Sequence, residues 1–266
     1  MYLQLPIVAL VSNIQGTEYL SFGDMETLCH EFGHALHSIL SRTELQHLSG
    51  TRGPQDMVEV PSHVFEKFAM SPMALKVLAE HSNPTGFELD DSIFLAPLEK
   101  KQSFASISLQ KTIEMSLLDY FMHSGELFID ENSSNERIAR FMEDHGIPNY
   151  NATKYPPVRF PHIVGYGGNY YSYLFANSIA SRVWQEGAEG PHQGNKVSGF
   201  YNNWPSGSML RSQMLEAGGA LPAKEYVQGI LISPNDITEV ESENPKHRHI
   251  GYYPTFDAYL KELKII

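Results

Sequence analysis

Apolar residues along this chain recur mostly at helical spacing, and only one stretch reads differently. Residues 3 to 12, "LQLPIVALVS", form a short apolar run with a β-branched centre, the pattern of a strand that wants neighbours on both sides. From Leu20 the period changes: Leu28, Phe32, Leu36, Ile39 and Leu40 make a helical stripe, and Ser21 with Asp24 can form a capping box at its start. That helix is expected to run to about Arg42. A glycine-punctuated loop, "HLSGTRGPQD", separates it from "MVEVPSHVFEKFAM", which is helical again, with Pro61 near its first turn and Asp56 as a candidate cap.

Further helices are expected over 71 to 83, 94 to 123 and a short stretch ending at His145. Residues 146 to 169 read as irregular chain rich in proline, glycine and aromatics. A strong amphipathic helix follows from about Tyr170, and shorter helical segments fall around 207 to 217, 222 to 230 and 255 to 263. The expected fold is mainly α with a minor β element. A lone central-type strand leaves backbone groups unpaired, so this reads as the C-terminal portion of a larger protein.

Composition narrows the function. The 266 residues carry a formal net charge of −12 with no basic block, so nucleic acid is not an expected partner. No apolar run reaches the ~18 residues of a membrane span, and the start lacks the pattern of a signal or transit peptide. Cys29 is the sole cysteine, which rules out an internal disulfide and reads best as a buried structural thiol.

Chemistry concentrates in "TLCHEFGHALHSIL". On a helix His30 and His34 lie one turn apart on one face, so two imidazoles can reach one tetrahedral zinc. Glu31, beside the first, is placed to take a proton from the water that such a metal acidifies. A catalytic zinc takes a third protein ligand, and Glu59 at the start of the next helix is the favoured choice, against an ordinary first-turn glutamate. His37, one turn beyond His34, reads as a supporting or packing residue, because three ligands on successive turns of one helix would crowd a tetrahedral site. Asp56 and Glu66 could orient the ligand imidazoles or serve as a cap and a solvated ion-pair partner.

A second constellation lies in "HIVGYGGNYYSYLF". His162, Tyr166, Tyr170 and Tyr173 offer N–H and O–H donors of the kind that stabilise an oxyanion, around glycines that allow mobility. The same tyrosines at 170 and 173, with Leu174 and Ile179, equally describe helix packing.

"HEFGHALHSIL" followed by "GTRGPQDMVEVPSHVFEKF" resembles the core of the thimet-oligopeptidase family of zinc metallopeptidases, the M3 group. The resemblance implies a zincin-like helical catalytic region, partial across residues 1–266, with a zinc-binding core at 20–70 and a substrate and oxyanion segment at 155–186. It implies one Zn2+ held by His30, His34 and Glu59, Glu31 as the base, and His162, Tyr166, Tyr170 and Tyr173 at the substrate. It also implies a two-lobed channel whose long N-terminal half is absent here, with short or unfolded peptides as substrate partners. "SRTELQHLSGTRGPQDMVEVPS" is most similar to members that remove N-terminal octapeptides from imported precursors in the mitochondrial matrix. A silent zinc- and peptide-binding fragment is the alternative.

Overall fold

The computed structural model describes residues 5–14, 20–82, 90, 92–125, 134–147, 160–189, 204–223, 225–226, 237–241, 250–254 and 257–264. The chain divides into two units, residues 1–103 with 176–266 and residues 104–175. The expected segments at 3–4, 155–159, 227–230 and 255–256 lie outside the described residues.

In the first unit, Ser21 caps α1 (Phe22–Leu40) as its sequence predicts: its hydroxyl accepts from the Asp24 N–H at 3.1 Å, while the Asp24 carboxylate accepts from the Ser21 N–H at 3.0 Å. The expected apolar stripe is not the face that α1 buries. Leu28, Phe32 and Ile39 are 36%, 47% and 40% exposed, whereas Gly33, Ala35 and His37 are buried. The reason lies in α2 (Gln55–Ala69), which presses against α1 at Gly33. A Cβ on Gly33 would sit 2.7 Å from Ser62 Cα and 2.9 Å from the Pro61 carbonyl oxygen, so only glycine admits this approach.

The second helix starts earlier than its hydrophobic period indicates. Pro61 therefore falls in the second turn, and the N-cap position is Pro54, which puts Asp56 inside the first turn rather than at the cap. Val60 and Val64 are fully buried. α3 (Pro72–Ser82) and α4 (Ser92–Ser103) follow.

Lys67, 7% exposed, fastens α2 to two distant segments. Its ammonium donates to Asn177 Oδ1 at 3.0 Å and to Glu262 Oε1 at 2.9 Å, and stands 5.9 Å from the Tyr259 ring centroid. These partners neutralise a charge that would otherwise be costly to bury.

The long helix expected over 94 to 123 is two helices. The break falls at Phe104, where the units divide, and α5 (Ala105–His123) belongs to the second unit. There α6 (Ser134–Asp144) ends in a Schellman motif: Gly146 takes φ +81°, and the Ile147 N–H reaches back to the Met142 carbonyl at 2.8 Å. Ile147 is thereby set into a core with Leu118, Phe121, Ile138 and Met142. Part of the segment expected to be irregular is a short helix, α7 (His162–Tyr166). The amphipathic helix forms as α8 (Tyr171–Glu189), and the division between units falls within it.

Further described helices of the first unit include α9 (Trp204–Met209), which continues into a π-helical turn (Leu210–Leu215), and α10 (Asp257–Glu262).

The expectation of a minor β element at residues 3–12 is overturned. Residues 5–14 form no strand, and Ile7 and Val11 are 99% and 81% exposed. A strand needs a partner for its backbone groups, and none pairs with this segment among the described residues. Two short segments near the other end, Ile237–Glu241 and Ile250–Pro254, pair only with each other as an antiparallel hairpin. The catalytic fold is helical, without the β element that the opening run implied.

Candidate metal centre

The glycine contact between α1 and α2 sets the spacing at which side chains from the two helices meet. His30 Nε2 and His34 Nε2 each lie 3.3 Å from Glu59 Oε2. Those three residues form a group whose ligand atoms all lie within 4.8 Å of one another. The distance is informative. A charge-assisted hydrogen bond between imidazolium and carboxylate would be about 2.8 Å, whereas ligands bonded at about 2.0–2.1 Å to a tetrahedral zinc stand about 3.3 Å apart. Two borderline nitrogens and a carboxylate oxygen are the donor set of a catalytic zinc site. The residues fit the ion.

Two of the three ligands, Glu59 and His30, have hydrogen-bonded support behind them. Ser62, fully buried on α2, donates its hydroxyl to the Glu59 backbone carbonyl at 2.8 Å and reaches Glu59 Oε2 at 3.1 Å. His30 Nδ1 is 2.6 Å from Glu66 Oε1, and the other oxygen, Oε2, is 3.0 Å from His63 Nδ1. The His30 ring packs edge-on against those of His34 and His63, at 4.9 and 5.4 Å between centroids. His34 Nδ1 is buried without a hydrogen-bond partner.

Electrostatics follow from this crowding. Burial opposes a charge on His30, but the Glu59 and Glu66 carboxylates outweigh it and raise its pKa to about 10 in the metal-free protein. Burial likewise opposes ionisation of Glu59 and Glu66, yet His30 and His34 hold the first, and His30 and His63 the second, well below the usual carboxylate range. The centre is built to keep both carboxylates charged.

Glu31 follows His30 on α1, half-buried, and belongs to neither group of candidate ligands among the described residues. His37 is not brought to the metal atoms either. It is 2% exposed, its pKa is lowered to about 4 by burial with His34 adding to the effect, and it lines a small cavity with Met57, Val58, Gly219 and Tyr226. Cys29 is half-buried, and burial together with the Glu66 and Glu26 charges raises its pKa, which keeps it a thiol.

In the second unit, His162, Tyr166, Tyr170 and Tyr173 come together as one aromatic cluster. The His162 ring lies 5.4, 4.8 and 5.8 Å from the rings of Tyr166, Tyr170 and Tyr173. Burial raises the pKa of Tyr170, so its phenol stays protonated and able to donate. The segment is held by a residue that sequence patterns do not single out. Asp119 of α5, 1% exposed, accepts from the Gly168 N–H at 2.9 Å and the Tyr170 N–H at 2.8 Å. Gly168 takes φ +77°, the left-handed conformation that favours glycine, and the His123 ring packs over Gly167 where a Cβ would stand.

Residues 2–244 match the family model described as Peptidase family M3. Among curated proteins the chain is similar to mitochondrial intermediate peptidases: that of Arabidopsis thaliana is 32% identical over 98% of this chain and 35% of its own length. That of Homo sapiens is 34% identical over 86% and 31%, and that of Rattus norvegicus 33% identical over 86% and 31%. The chain thus spans about a third of the length of these relatives. With a family match over nearly its whole length, the chain belongs to peptidase family M3, a family of zinc metallopeptidases, and is homologous to the mitochondrial intermediate peptidases.

Proposed function

We propose that this chain carries the catalytic centre of a zinc-dependent endopeptidase acting on short or unfolded peptides. The observation that carries the reading is the convergence of His30 Nε2, His34 Nε2 and Glu59 Oε2 at the spacing of a zinc tetrahedron. Bound there, zinc would supply a Lewis acid and lower the pKa of a water molecule. Glu31 takes the proton of the attacking water and returns it to the leaving amine. Glu66 keeps the His30 imidazole in the tautomer that leaves Nε2 free to ligate, and Ser62 steadies the Glu59 carboxylate. The phenols of Tyr166, Tyr170 and Tyr173 and the imidazole of His162 are the proposed donors to the oxyanion, a role supported by their chemistry and their clustering.

The narrower reading takes a mitochondrial peptidase from the names of the relatives, and the trimming of N-terminal octapeptides from imported precursors in the matrix from the sequence resemblance alone. Among the described residues no helix is long and apolar enough to cross a membrane.

Glu31→Gln separates catalysis from binding. With metal content read by elemental analysis and turnover by a quenched fluorescent peptide, the variant is expected to keep one zinc and lose turnover by at least about 100-fold. Undiminished cleavage would remove Glu31 from the mechanism, and a folded wild-type chain without zinc would overturn the whole reading.

A further inference from the structure

His63 stands three residues before Glu66 on α2, where helical geometry brings the two side chains to one face. Both oxygens of Glu66 are committed, Oε1 to His30 Nδ1 at 2.6 Å and Oε2 to His63 Nδ1 at 3.0 Å. An ionised carboxylate only accepts, so both imidazoles donate through Nδ1–H, which leaves Nε2 as the His30 nitrogen that can give up its proton to a metal. The terminal torsion of a glutamate is soft, and a carboxylate tied at one oxygen can swing. Tied at both, its plane is set. His63 is buried, and its ring also meets that of His30 edge-on, at 78°.

We infer that His63 is a positioning residue of the metal centre, which fixes the Glu66 carboxylate so that His30 presents its Nε2 lone pair toward His34 and Glu59. The inference rests on the reading of His30, His34 and Glu59 as the zinc ligands. The group His30, His63 and Glu66 is also close enough to hold a cation of its own. Its shortest contact, 2.6 Å, has the length of a charge-assisted hydrogen bond and falls well short of the about 3.3 Å edge of a zinc tetrahedron. A metal there would also displace the Nδ1 proton that fixes the tautomer of His30. The geometry is that of a hydrogen-bonded chain.

His63→Leu removes the donor, and His63→Asn returns an amide N–H close to the position of Nδ1. Competition with a chromogenic chelator is expected to show zinc binding weakened roughly tenfold in the leucine variant, recovered in large part in the asparagine variant, and weakened at least as much by Glu66→Gln. Nitrogen-15 histidine spectra of the zinc-free protein are expected to show protected Nδ1 protons on His30 and His63, with the His30 signal shifted or broadened in His63→Leu. If the leucine variant does not fold, the contrast between His63→Asn and Glu66→Gln carries the same test. Equal weakening by leucine and asparagine, or an unchanged His30 signal and affinity in His63→Leu, would overturn the inference. So would two metals per wild-type chain with the second lost in His63→Leu. Should the wild-type chain take up no zinc, the functional reading falls, while the imidazole protons still decide whether His63 sets Glu66.

Discussion

The seam between α1 and α2 and the tyrosine segment before α8 both gather polar side chains, but they hold them in different ways. In the seam, two helices meet at Gly33 and every metal-facing atom rides on rigid backbone, with a second layer of side chains behind it. In the tyrosine segment, a turn is hung by two backbone N–H groups from the single carboxylate of Asp119, and Tyr166 at its edge is 54% exposed. Tolerances of tenths of an ångström, which a metal demands, are met by helix-on-helix contact. For donors that close on a substrate, the role proposed for these tyrosines, a tethered turn has less to rearrange.

The comparison is broken most forcefully by pH in the zinc-free protein. The pKa of His30 is about 10 when folded and about 6.5 when unfolded, so the favourable pairing with Glu59 and Glu66 is complete below 6.5 and is lost as pH rises through 10. Thermal melts of chelator-treated protein are expected to fall by several degrees or more across that window. Zinc-loaded protein, whose His30 has no proton to lose at Nε2, is expected to lack the decline. A flat melting curve without zinc would contradict the paired arrangement.

Next in size is Gly33→Ala. Its Cβ would meet Ser62 Cα at 2.7 Å, backbone that has nowhere to move without opening the seam. A loss of about 3 kcal/mol in chemical denaturation, together with weakened zinc binding, is expected. Wild-type affinity in that variant would show that the helix contact does not set the ligands.

Asp119→Ala sharpens the contrast from the other side. Two backbone N–H groups lose their acceptor, at a cost of about 2 kcal/mol, and hydrogen exchange at Gly168 and Tyr170 is expected to speed up. Zinc affinity is expected to stay as it was while peptide turnover falls. Equal loss of zinc affinity would mean that the two regions are not independent.

What the sequence makes legible tracks how local each arrangement is. Helical spacing alone places His30 and His34 on one face, and Ser21 with Asp24 announces the start of α1, because these relations span three or four residues. Glu59 needs a reversal of the chain, yet the next helix begins so soon that few alternatives compete. The apolar stripe of α1 misleads for a physical reason: a close helix contact through glycine buries a small and polar face, which hydrophobic periodicity cannot see. The support from His63 is local, an i, i+3 pair, and a count of histidines and glutamates on the α2 face could have found it. Asp119 pairs locally with His123, an i, i+4 relation, but the two backbone N–H groups it holds lie 49 and 51 residues away, beyond any local pattern. The run at residues 5–14 has the composition of a strand, but composition supplies no partner.

The Lys67 junction has a consequence for the order of assembly. The metal seam joins helices that are close neighbours in the chain, so its loop-closure entropy is small and it can form early, while downstream residues are still being made. The ion pair to Glu262 spans 195 residues and has to wait for α10. Until then the Lys67 ammonium has Asn177 but not Glu262, and the helix carrying Glu59 and Glu66 is only half fastened at that end. Synthesis that stops short of α10 would deliver the proposed zinc ligands without the residue that completes their anchorage.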